Sequence, residues 1–152
     1  GDEWFTGPCA VPKGLLFPGY GPEDANPDLG DSTIAETVGV GGFAMAAAPA
    51  IVKFVGGTSD LALTSTQAMY DITVGEHPLF RLPPLNFRGT PVGIDAALVC
   101  RTCQVPFVNT GIAGKQAGVG QIGAGLVEPP IKCFNDGLKR YGEVSKDWLT
   151  SH

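Results

Sequence analysis

Charge is scarce in this chain. Only 16% of its 152 residues are Asp, Glu, Lys or Arg, against the ~25% usual for globular proteins. The charges present are 10 basic and 15 acidic, a net of −5. Such a surface repels phosphate backbones, and no basic run or basic amphipathic helix offsets it, so nucleic acid is not an expected partner. Histidine is scarcer still. With only His77 and His152, histidine-based triads and multi-histidine metal sites find too few residues. Long apolar runs are missing too. The longest uncharged stretch, Thr37 to Val52, has 16 residues, is dense in glycine and contains Pro49, whereas a membrane span needs about 20 predominantly apolar residues. The acidic opening Gly1-Asp2-Glu3-Trp4 is not a secretory leader, and its lack of methionine reads as a start internal to a longer protein.

Cysteine is limited to Cys9, Cys100, Cys103 and Cys133. An acidic domain with so few reads as cytoplasmic with reduced thiols. Cys100-Arg-Thr-Cys103 has the spacing of a redox pair, but it falls late in an expected helix, where the dipole does not favour thiolates. The four are read as small buried hydrophobes, and no metal and no cofactor is expected. Gly118-Val-Gly120-Gln-Ile-Gly123 spells a dinucleotide fingerprint, but Gly125-Leu-Val-Glu-Pro-Pro130 follows where that motif requires a helix. Asp24 to Ala35 misses the glycine and glutamate of a calcium loop. Gly114-Lys115 lacks the residues of a P-loop. Neither G-x-S-x-G nor H-E-x-x-H occurs.

What is abundant is glycine, with 22 among 152 residues, twice the usual ~7%. There are 13 prolines besides, and 43% of the residues are apolar, enough for a folded core. A chain of this length buries roughly 68–70% of its unfolded surface, so one domain over residues 1–152 is expected. Residues 1–31 alternate prolines and glycines and read as an irregular arm, with a short strand at Leu15-Leu16-Phe17. Trp4, Phe5, Leu15, Leu16, Phe17 and Tyr20 in that arm need cover, which points to other protein surface, such as a second copy.

Residues 32–152 read as the core. Ser32 to Val38 alternates like a strand. Gly39-Val-Gly41-Gly42 opens a helical stretch from Phe43, kinked at Pro49 and stopped by Gly56-Gly57. Thr58 or Ser59 caps a helix to about Glu76, ended by His77-Pro78. Leu82 to Pro91 is extended and turn-rich. Asp95 caps a short helix, Pro106 to Ala113 and Val119 to Val127 read as strands, and Pro130 starts a last helix through Tyr141. Helices and short strands without βαβ alternation give an α+β fold, with a long Gly/Pro-rich N-terminal arm.

Among polar residues, Gly41 and Gly42 stand where amides at a helix start can meet an anion. Arg88 offers a bidentate fork for carboxylate or phosphate. Asn86 stands beside it, and Asn109-Thr110 forms a polar cluster on the 106–113 strand. These six residues are expected to converge on one anion-binding pocket. Packing explains the glycines equally well, and an ion pair explains Arg88.

Five blocks carry a resemblance: Phe17-Pro-Gly-Tyr20, Asp24-Ala-Asn-Pro-Asp-Leu-Gly-Asp31, Gly41-Gly-Phe-Ala-Met-Ala-Ala-Ala-Pro-Ala-Ile-Val52, Leu85-Asn-Phe-Arg-Gly-Thr-Pro91 and Gly118-Val-Gly-Gln-Ile-Gly-Ala-Gly-Leu126. Together they resemble the YlbE-like family, whose members are longer, so that this chain looks like their C-terminal portion. The resemblance implies association with an FdrA-like partner in purine (allantoin) breakdown. It also implies a subunit of an oxamate carbamoyltransferase, which moves a carbamoyl group between oxalurate and phosphate. A small anionic substrate, namely oxamate, oxalurate, carbamoyl phosphate or phosphate, and a homo-oligomer follow as expectations. The alternative is a non-catalytic assembly module organising that partner enzyme.

Overall fold

Two antiparallel sheets and five helices make up a computed structural model describing residues 2–54 and 56–151. Strands β1 (Lys13–Leu16), β5 (Gln121–Val127) and β4 (Val108–Ala113) form one sheet in the order β1-β5-β4. Strands β2 (Thr73–Leu82) and β3 (Arg88–Ile94) form a separate two-stranded hairpin. The helices are α1 (Thr33–Glu36), α2 (Pro49–Phe54), α3 (Ser59–Tyr70), α4 (Ala96–Thr102) and α5 (Ile131–Ser151). A 3-10 segment, Gly41–Ala47, precedes α2. The fold is α+β, as its mixture of short elements predicts.

Local chemistry accounts for most of these elements. The Thr58 side chain accepts the Leu61 amide at 3.1 Å and starts α3. This helix buries Ala62, Ser65, Thr66 and Met69, the i, i+3, i+4, i+7 stripe of an amphipathic helix. Asp95 accepts the Ala97 and Leu98 amides at 2.7 and 3.2 Å and starts α4. The 3-10 segment packs on α3, and its buried Ala46 amide donates to Thr66 Oγ1 at 3.0 Å, so this contact leaves neither group orphaned. Phe43, Met69, Ile72 and Val99, none of them exposed, form the main core cluster, with Phe107, Ile131 and Phe134 packed against it. A second cluster, of Ala25, Ile112 and Ile122, lies under the three-stranded sheet.

Three expectations are corrected. Ser32 to Val38 is not a strand; its centre forms the single turn of α1, turning Glu36 inward. The helix from Ser59 ends at Tyr70 rather than Glu76, because residues 73–82 pair with β3. Pro78 lies where the β2–β3 register shifts between Glu76 and Arg81, the kind of irregularity that tolerates a strand proline. The N-terminal residues, expected as an irregular arm covered by other protein surface, are tied to the rest of this chain. Glu3 pairs with Arg140 of α5 at 2.7 Å, β1 pairs with β5, and Asn26 donates to the Ala113 carbonyl at 2.8 Å. Trp4 and Leu15 nevertheless stay exposed, at 89% and 50%.

α5 runs past Tyr141, and Gly142 does not break it. A methyl group added at Gly142 would meet nothing within 4 Å. Glycine costs a helix interior roughly 0.5–1 kcal/mol relative to alanine. Gly142→Ala is therefore expected to raise stability by about that amount, read as a higher urea midpoint at unchanged m value.

Candidate functional site

Gly42 and Asn109 meet at a residue outside the expected set. Glu36, the last residue of α1, is wholly buried. Its Oε1 accepts the Asn109 backbone N–H at 2.9 Å, and its Oε2 accepts the Phe43 N–H at 3.4 Å. The Gly42 amide bonds to the same carboxyl. The amides that the sequence offers to an anion thus meet an anion belonging to the chain itself. Burial pushes the Glu36 carboxyl up to about 7, against the pull of these three amides. Gly41 has a left-handed φ of +67°, and any side chain there would overlap the Glu36 carboxyl oxygens. Glycine is required at that turn on both counts. A cavity of about 310 Å3 adjoins, lined by Gly41, Ala44, Met45, Ala48, Val52 and Asn109.

Thr110 lies in a second recess of about 370 Å3, whose wall includes Asn26, Asp28, Asp31, Ser32, Thr110 and Gln121. There Ser32 Oγ donates to Thr110 Oγ1 at 3.0 Å, which in turn donates to Asp28 Oδ1 at 3.0 Å. Asp28 Oδ2 also accepts the Gly30 amide at 3.0 Å. Asn109 and Thr110, adjacent in β4, therefore serve different hollows. A third hollow, about 560 Å3, lies along β1 and includes none of the six expected residues.

Asn86 and Arg88 sit in the β2–β3 hairpin, whose 83–85 turn packs against the Gly41–Ala47 segment. Asn86 and Phe87 both adopt left-handed backbone conformations, φ 53° and 57°, to turn the chain into β3. The Arg88 guanidinium donates through Nε and Nη2 to Glu76 Oε1 at 3.0 and 2.7 Å, and lies 3.8 Å over the Tyr70 ring. Glu76 Oε2 accepts the Gly89 amide, and Tyr70 Oη donates to the Gly89 carbonyl. The Arg88 hydrogen bond holds Glu76 below the usual carboxylate range, whereas burial raises Tyr70. These contacts pin the hairpin register.

The structure brings Gly41, Gly42 and Asn109 to one site, sets Thr110 beside it, and gives Arg88 an ion pair on the hairpin. Sequence reasoning missed Glu36. The available signal was one carboxylate three to six residues ahead of a run of glycine amides. The cysteines depart from the expected burial: Cys9 and Cys103 are exposed, and Cys100 and Cys133 half-buried.

Residues 1–32 match the family described as oxamate carbamoyltransferase subunit AllG. The chain is 50% identical over 144 residues to the uncharacterized protein YahG of Escherichia coli (strain K12), covering 92% of this chain and 30% of that protein. It is 44% identical over 144 residues to the oxamate carbamoyltransferase subunit AllG of the same organism, covering 94% and 34%. The fold superposes with a TM-score of 0.88 on the crystal structure of a conserved protein of unknown function from Enterococcus faecalis V583, at 53% identity over 92% of this chain and 33% of that one. The chain spans about a third of the length of the curated relatives it matches. The resemblance read from the sequence blocks agrees with this similarity to AllG, which extends over nearly the whole of this chain.

Proposed function

We propose that this chain is part of a carbamoyltransferase-type subunit in purine (allantoin) breakdown. In this reading it takes a small anionic substrate, namely oxamate, oxalurate, carbamoyl phosphate or phosphate, into the cavity between the Gly41–Ala47 segment and β4. One observation carries the reading. The Gly42, Phe43 and Asn109 amides gather on a carboxylate beside that cavity. A planar carboxylate or carbamoyl group needs the same donors, and preorganised amides stabilise the oxyanion that carbamoyl transfer develops. Its volume, about 310 Å3, lies at the low end of the ~300–1,000 Å3 typical of small-molecule sites and suits a ligand of few atoms. Thr110 contributes from the adjoining recess. Asn86 and Arg88 approach from the hairpin, Arg88 exchanging Glu76 for the substrate's charge.

A ligand at one hundred times its Kd adds about 2.7 kcal/mol to stability. Oxamate, carbamoyl phosphate or phosphate is therefore expected to raise the melting temperature. Arg88→Lys should weaken that rise while leaving the unliganded midpoint nearly unchanged, since lysine cannot form the fork. Absence of any shift, alone or with an FdrA-like protein present, argues for the second reading, an assembly module organising that partner. The hairpin favours this second reading by exposing Val74 at 73%, Leu79 at 79% and Phe87 at 66%. Serine at Leu79 and Phe87 would then abolish co-elution with the FdrA-like protein.

A further inference from the structure

We propose that Glu36 is a resident anion that holds the site's amides until a substrate anion displaces it, and that it takes up one proton as it yields. The inference deepens the reading above and rests on it for the identity of the ligand. Its basis is the geometry of the carboxyl. Glu36 ties three parts of the chain together: α1, which it ends, the Gly41–Ala47 segment through Gly42 and Phe43, and β4 through Asn109. Gly41 and Asn109 also line the cavity. Of the Glu36 donors it is Asn109 that lines the cavity, so a small anion there competes with Glu36 for the Asn109 amide first.

Ionised, the carboxylate can accept all three N–H groups. Protonated, it becomes an O–H donor with reduced acceptor capacity, and three donors exceed what its remaining carbonyl oxygen accepts well. Protonation therefore frees at least one amide for the incoming anion. The exchange is neutral in charge. The ligand brings one negative charge as Glu36 loses one, so the buried corner never holds two uncompensated anions. This lets a cavity whose lining holds no cation accept an anion, with Arg88 standing outside that wall.

Among the described residues no opposite charge fixes Glu36 in one state. Thr33, Ile34 and Ala35 complete α1, and neither the Gly41–Ala47 segment nor β4 carries a titratable side chain. On the other side of β4, Asp28 is bonded by Thr110, and Asp31 accepts the Ser32 amide. With the carboxyl raised to about 7 by burial, both forms are populated near neutrality. Exposed Gly41, with no side chain, covers it.

Oxamate is the probe, because its carboxylate does not titrate between pH 6 and 9, unlike phosphate. Calorimetric titration of the full chain in buffers of different ionisation enthalpy should show uptake of up to one proton per oxamate bound. Affinity should weaken about tenfold per pH unit above the Glu36 midpoint and level off below it. Glu36→Gln should bind with no such pH dependence. PH-independent affinity in the wild type, or an unchanged slope in Glu36→Gln, overturns the proposal. Should oxamate bind at no pH, Glu36 is judged without ligand, by amide NMR, and the functional reading fails if carbamoyl phosphate and phosphate do not bind either. A common pH midpoint for the Gly42, Phe43 and Asn109 resonances, lost in Glu36→Gln, supports the proton-yielding anion, and independent or absent transitions overturn it.

Discussion

The free energy of unfolding is expected to fall between pH 5 and pH 8, by about 3 kcal/mol, and the slope is expected to vanish in Glu36→Gln. The Glu36 carboxyl is raised from 4.5 to about 7 in the folded protein. Between those values the native state binds more protons at this residue than the unfolded chain does. Stability then decreases as pH rises, the reverse of an ordinary salt-bridged carboxylate. The contribution is fully present below pH 4.5 and lost as pH passes through about 7. One pKa unit corresponds to about 1.4 kcal/mol, which sets the expected total. Glu76 does not obscure the effect. Its carboxyl is lowered by Arg88, so its contribution is lost only as pH falls below the ordinary carboxylate range, outside this window. Urea titrations at pH 5, 6, 7 and 8 give the slope directly. A flat or rising profile in the wild type overturns this account of Glu36. The slope rather than absolute stability is the readout, because a glutamine places its NH2 among three amide donors.

How much of this was legible in the sequence follows from how far apart the deciding residues lie. Helix α4 was legible because Asp95 caps it from within its own first turn, and α3 began where Thr58 required. Strands β4 and β5 announced themselves as short apolar runs bounded by glycine and proline. The α1 segment misled because Ile34, Glu36 and Val38 alternate like one face of a strand. Ile34 and Val38 are exposed, at 75% and 52%, and Glu36 is the buried member. Its partners lie seven and seventy-three residues away, beyond any local pattern. The end of α3 was hidden similarly. No glycine or proline marks Tyr70, and pairing of residues 73–82 with β3 decides the boundary. At the candidate site, the glycine-rich turn and Asn109 were legible as polar and permissive positions. That Glu36 occupies their amides was not, since burial of a lone carboxylate is a tertiary fact.

Gly42→Ala is expected to cost on the order of 4 kcal/mol, beyond the ~1–3 kcal/mol of ordinary overpacking. A β-carbon at Gly42 would overlap the Phe107 carbonyl oxygen and lie 2.8 Å from its carbonyl carbon. Both obstacles are backbone, so no rotamer change relieves them. Relief requires the Gly41–Ala47 segment to move away from the chain entering β4. That movement pulls Phe43 from the core cluster and separates the amides that Glu36 bridges. For a domain of this size, 1 kcal/mol corresponds to about 2–4 °C, so the melting temperature should drop by roughly 8–16 °C. The same substitution at Gly142, where nothing lies within 4 Å, should raise it slightly and serves as the matched control. If Gly42 were a glycine only to let a ligand approach, Gly42→Ala would keep the wild-type melting temperature and lose only ligand binding. A variant that folds with an unchanged midpoint therefore overturns the packing account, whereas a large drop assigns this glycine to the contact between the 3-10 segment and β4.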